Sequence, residues 1–218
     1  TGTKNIAPRT STLYHLTLNG AATFRLQNNL VLLGNLAINA GSLDVVTPAS
    51  YNITLAGNWL NSGTFIPQNG TVTFNGTNQS ISKATGESFY RLTVNSTGTL
   101  TLINGNASVS NTLTMTSGNI NTGTYKLTLG TSTANIGTLT YTAGTIIGKL
   151  ERWMNTAGTA YIFPVGTATN NNRLTITCAG GLTAGSIPTN VILYLFLKKS
   201  MAAPVAVLHA TTTSLHFF

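Results

Sequence analysis

From Leu13 to Thr177 the chain repeats one short pattern: polar and apolar residues alternate for a few positions, then Gly or Asn intervenes. Thr71-Val72-Thr73-Phe74 is one such unit, with the period of a half-buried strand. The stretch from Gly57 to Ile81 shows the pattern most fully. Trp59, Phe65, Val72 and Phe74 are its large apolar side chains, and Gly63, Gly70 and Gly76 stand between or beside them. Gly and Asn tolerate positive φ, so they form tight corners at little cost. Short strands with turn signals between them recur roughly every 8–12 residues, the rhythm of an all-β protein. No segment carries sustained helical periodicity with caps, so the chain reads as all-β.

Longer likenesses overlie the short units. Leu13-Tyr14-His15-Leu16-Thr17-Leu18-Asn19 resembles Phe89-Tyr90-Arg91-Leu92-Thr93-Val94-Asn95. Leu36 to Leu43 resembles Leu113 to Ile120, and Tyr51 to Gly57 resembles Tyr125 to Gly130. These matches divide the middle of the chain into repeats of about 13–88 and 89–149. Two architectures accommodate them. In a β-solenoid of the parallel β-helix type, each coil rests on the last; in a tandem β-sandwich, antiparallel strands pair through hairpins. Short Thr-rich strands, Asn and Gly corners, small-to-medium apolar residues and the lack of a linker favour the solenoid.

The ends depart from this grammar. Residues 1–12 are polar and unpatterned with Pro8 as a breaker, and read as an extended N-terminal arm. The region 150–190 gathers Trp153, Tyr161 and Phe163 before Pro164 and reads as a capping or terminal β segment, because the last coil of a stack needs an atypical cover. Val191, Ile192, Leu193, Tyr194, Leu195, Phe196 and Leu197 form an unbroken apolar run followed by Lys198-Lys199. It is far shorter than the roughly 20 residues of a membrane-spanning helix. As a strand it is apolar on both faces, which suits a central buried strand or one covered by a neighbouring subunit. These seven are the candidate subunit-interface residues, and 191–218 is a possible assembly element.

Composition sharpens the reading. Only 6% of the 218 residues are charged, against about 25% in ordinary domains. Thr, Ser, Asn and Gly must therefore make the surface. The net charge of +8 reflects scarce acids, and Lys and Arg are scattered rather than clustered with aromatics, which argues against a nucleic-acid partner. Cys178 is the single cysteine, so neither an intrachain disulfide nor a cysteine zinc site follows, and a small core residue is its simplest role.

The units Gly57 to Phe65, Gly70 to Gly76, Phe89 to Val94 and Phe163-Pro164-Val165-Gly166-Thr167 together resemble the large repetitive, β-helical surface or adhesin-like proteins of Bacteroidetes, often exported by the type IX system. The resemblance covers about 13–177. It implies an extracellular or cell-surface location and a structural architecture, and it carries no active site.

Candidate chemistry is sparse. Asp44, Glu87 and Glu151 are the only acids. Glycoside hydrolysis normally needs two carboxylates at a set spacing, and calcium sites need several carboxylate oxygens. His15, His209 and His216 show neither a metal spacing nor a nucleophile elbow nearby. The sequence therefore names no catalytic, cofactor-binding or metal residue, and no enzyme activity or cofactor is expected. Trp59, Phe65, Phe74, Trp153 and Phe163 are the structural aromatics. The expectation is an extracellular structural protein that assembles end to end as a homo-oligomer or homopolymer, through open β edges and terminal strands. The alternative is an adhesin or carbohydrate-binding module, with Tyr51, Trp59, Tyr90, Tyr125 and Trp153 as platforms for surface glycans. Solvent-facing rings would favour binding, and buried ones a structural role.

Overall fold

A computed structural model describes residues 2–8, 12–155 and 159–177, and beyond these only the backbone of three short strands, Leu193–Tyr194, His209–Thr211 and Ser214–His216. The protein is an all-β β-solenoid of about eight turns, without a helix among the described residues. Each coil lays down short strands on three sides, and equivalent strands of successive coils pair in parallel. Parallel stacking excludes the tandem sandwich, whose hairpins would pair antiparallel.

The first face stacks Leu30–Leu32, Ile53–Leu55, Thr71–Phe74, 91–94, 112–115 and Thr138–Tyr141. The second begins with Leu16–Leu18, Leu36–Ile38, Trp59–Asn61 and Gln79–Ser82. It continues through parts of the long strands Glu87–Asn104, Ala107–Leu129 and Ile146–Arg152 to Val165–Gly166. The third stacks Thr3–Ile6, Thr23–Leu26, Ser42–Asp44 and Thr64–Ile66. The pairings of 87–89 with 107–109 and of 126–129 with 149–152 carry that side onward.

The core follows from strand alternation. Alternate side chains of a strand point to one side, so each L-x-L unit sends two apolar residues into the coil. Leu36 and Ile38, Ile53 and Leu55, Leu92 and Val94, and Leu113 and Met115 are all buried, and one continuous apolar cluster runs from Leu18 to Val165. Gly57 and Gly76 make the corners between the first and second faces. A Cβ on Gly57 would strike the backbone at Gly34 and Asn35, and one on Gly76 would strike the Ala56 carbonyl. Coils approach so closely there that only glycine fits.

Two boundaries differ from expectation. Residues 3–6 are a rung of the solenoid rather than a free arm, held in register by Thr23–Leu26. The repeating unit is the coil: Leu36 pairs with Leu16 and Trp59 with Leu36, so a coil takes about 20 residues, the short end of solenoid repeats. The longer likeness matches different faces, since Leu16 and Leu18 lie on the second and Leu92 and Val94 on the first. Toward the C-terminal end, Ala160–Phe163 and Leu174–Thr177 pair antiparallel, and Tyr161, Phe163 and Val165 bury their side chains against the last coils. Cys178 and most of the run Val191–Leu197 lie outside the described residues. Within that run, the backbone of Leu193–Tyr194 pairs in parallel with Ser214–His216.

Candidate functional site

Each acid is engaged by its own surroundings. Asp44 Oδ1 accepts from Val46 N at 2.8 Å and Gln68 Nε2 at 3.0 Å, and its Oδ2 lies 3.5 Å from Arg25 Nε. Glu151 pairs with Lys126. Glu87 is 3% exposed inside the coil. Its Oε2 accepts from Trp59 Nε1 at 2.6 Å and Asn61 Nδ2 at 2.7 Å, and its Oε1 from Ser88 N at 3.1 Å. Burial pushes the Glu87 carboxyl above its ordinary value, while the donors from Asn61, Trp59 and Ser88 oppose the shift. The Oδ1 of Asn61 is buried without a partner. Turning the amide over would let a protonated Glu87 donate to it, a pairing open only to the neutral acid. Among the described residues no three His, Cys, Asp or Glu side chains gather as a metal site.

Around Glu87 lies an aromatic knot drawn from all three sides of the coil. The Trp59 ring stands 4.8 Å from Phe65, 5.4 Å from Phe89 and 6.5 Å from Phe74, centroid to centroid. The first two contacts are edge-on, the geometry that ring quadrupoles favour. Of the predicted structural aromatics, Trp59, Phe65, Phe74 and Phe163 are buried and Trp153 is half-buried. The rings considered as sugar platforms do not form an exposed row. Trp59 is fully buried, Tyr51 and Tyr125 pack against the core, and Tyr90 lies under the Arg91 guanidinium at 4.7 Å.

The corners carry a polar device. Asn35 Oδ1 accepts from Asn58 N, and Asn58 Oδ1 from Ser80 N, each coil binding the next through a side-chain amide. Asn29, Asn52, Asn78, Asn106 and Asn119 do the same for the coil that follows them. His15 holds the equivalent place in the first coil, its Nδ1 accepting from Asn35 N at 2.8 Å. His15 is exposed, and its place is a structural one.

The outer side of the first face is the most regular surface. Thr54, Thr73, Thr93, Thr114 and Thr140 stand in register on five successive rungs. Two residues earlier on the last four of these strands, Thr71, Arg91, Thr112 and Thr138 form a second column. No bulge interrupts the pairing within these columns. The only cation, Arg91, donates from Nη1 to Asn69 O at the corner. The second face differs: its outward positions mix Thr17, Ala37, Leu60 and Ser82, and its register shifts between Ile81 and Ser82.

At the N-terminal end, among the described residues, nothing pairs with the outer side of Thr3–Ile6 or Leu16–Leu18. Ile6, Leu13 and Leu16 are only half-buried there, and Tyr14 is 66% exposed. His209 and His216 pair by backbone in the antiparallel strands His209–Thr211 and Ser214–His216; their side chains lie outside the described residues. Comparison with protein-family models, with curated proteins and with solved structures finds no match. The class defined by the geometry is thus a fold, the parallel β-solenoid, with an apolar interior and a sparsely charged, threonine-rich exterior.

Proposed function

We propose that this is a structural extracellular protein that joins copies of itself end to end. The observation that carries the reading is the edge at Leu16–Leu18, unpaired among the described residues, beside the half-buried Leu13 and Ile6. Such an edge offers free N–H and C=O groups and apolar rungs, which natural proteins cover or pair. Lys4 is exposed and shares the register column of Phe24 and Leu43. A charge at that place guards the neighbouring strand against pairing, which leaves Leu13–Leu18 as the joint. The apolar run Val191–Leu197 of the next copy is the proposed strand that covers it, by β-augmentation. A contact of that kind does not close on itself and extends into a filament. The likeness to Bacteroidetes surface proteins agrees with work outside the cell. Burial of the rings weighs against an aromatic glycan platform.

Electron microscopy and light scattering of the purified full chain test the reading. Fibres are expected. Thr17→Pro should stop their growth and leave the coil intact: Leu16 N and Leu18 O bond to the second coil, so alternation leaves the Thr17 N–H on the open side. Lys4→Val should hasten assembly. A monomer at high concentration, or fibres indifferent to Thr17→Pro and to deletion of 191–218, would sink the proposal.

A further inference from the structure

We propose that the first face is an ice-binding surface. Strands in a sheet lie about 4.7–4.9 Å apart, and same-side residues along one strand stand about 6.6–6.8 Å apart. The threonine column from Thr54 to Thr140 and the column of Thr71, Arg91, Thr112 and Thr138 are both unbroken in register and therefore form a two-dimensional lattice. Oxygen repeats on the prism faces of hexagonal ice fall near both spacings. The first face presents that lattice on its outer side, while its inner side is locked into the core through Ile53, Val72, Leu92 and Leu113.

The residue type suits the surface. Threonine carries a hydroxyl and a methyl on one Cβ, and its branched χ1 is stiff. An array of such side chains is already ordered, so little rotamer entropy is lost on contact. Hydroxyls can take places in the water lattice while methyls fill the spaces between them. Each contact is weak, and a rigid row of many sums to firm attachment. The chemistry also narrows the occupant. An ionic mineral calls for charged ligands, and these columns hold no carboxylate and one cation, turned to the corner at Asn69. A sugar surface held by stacking on ring faces would need aromatic side chains, and the columns contain none. A neutral, hydrogen-bonding, periodic solid remains. The second face is the internal contrast, with a broken register and Ala37 and Leu60 among its outward residues. This inference stands apart from the assembly reading, since it concerns the flank of the solenoid rather than its end.

The test uses the full chain. Thermal hysteresis is measured on single ice crystals, together with adsorption of the fluorescently labelled protein to ice. Faceted crystals, a hysteresis gap and labelled ice planes are expected. Thr93→Lys and Thr114→Lys, both at the centre of the array, should each reduce the gap several-fold with the melting midpoint unchanged. Thr93→Val keeps the shape without the hydroxyl and serves if a lysine perturbs the fold. Thr101→Lys points outward from the second face and should leave the gap intact. No hysteresis and no adsorption by the unmodified protein would overturn the proposal. So would equal loss from Thr101→Lys, or adsorption to crystalline cellulose with none to ice.

Discussion

The middle coils and the first coil are written in the same residues and held very differently. Trp59, Phe74 and Leu92 have a rung on either side and are sealed from water. Among the described residues, Leu13 and Leu16 have a rung on one side only and remain half-buried, while Tyr14 and Leu33 stay in solvent. Solenoid stability is close to a sum of nearest-neighbour terms. An identical L-x-L unit is thus worth less at an end, because part of its burial is missing: Leu16 is half-buried while Leu18 is sealed. The middle adds what the end lacks, a knot of four rings closed over a buried carboxyl.

Removing the centre of the knot should have the largest effect. Trp59→Ala is expected to cost about 3–5 kcal/mol in urea denaturation, as large aromatic deletions do, and it also takes a donor from Glu87. A loss below about 1 kcal/mol would show that the knot does not distinguish the middle from the end. Leu36→Ala and Leu16→Ala compare one ladder position with two neighbours and with one. The first should cost about 2–5 kcal/mol and the second roughly half of that. Equal losses would break the nearest-neighbour account. Gly76→Ala drives a Cβ into the Ala56 carbonyl and should cost about 1–3 kcal/mol. Gly2→Ala, at the open end with nothing near it, should be close to neutral; the reverse order would mean that the corners are looser than the coil spacing implies.

The smallest effect is a pH slope. The carboxyl of Glu87 is raised by burial, so the folded state holds its proton more tightly than the unfolded chain does. Its contribution is therefore most favourable below the ordinary carboxylate range. That contribution declines as pH rises through the raised value, then levels off. Glu87→Gln should flatten this part of the pH–stability curve. An unchanged curve would mean that Glu87 titrates alike in both states.

Much of this was readable from periodicity. The alternation in Thr71–Phe74, the Gly and Asn corners and the short strands led to parallel coils, because an inward apolar residue at every second place is what a coil interior requires. The likeness between Leu13–Asn19 and Phe89–Asn95 did not reveal the coil, because all three sides use the same inward grammar and a match cannot say which side it lies on. Residues 3–6 looked like an arm because Ile6 is the only large apolar residue among them. Glu87 received no role from the sequence, although it shares parity with the inward Phe89, and that was the available signal.

By itself the sequence determined the strand period, the corners and the sparsely charged exterior, since these depend on neighbours a few places away along the chain. Which Thr stands beside which, which Asn binds the next coil and where a lone carboxyl meets Trp59 were decided only by the stacking. Those relations join residues about one coil apart, and register between coils is set by how side chains fill the shared interior.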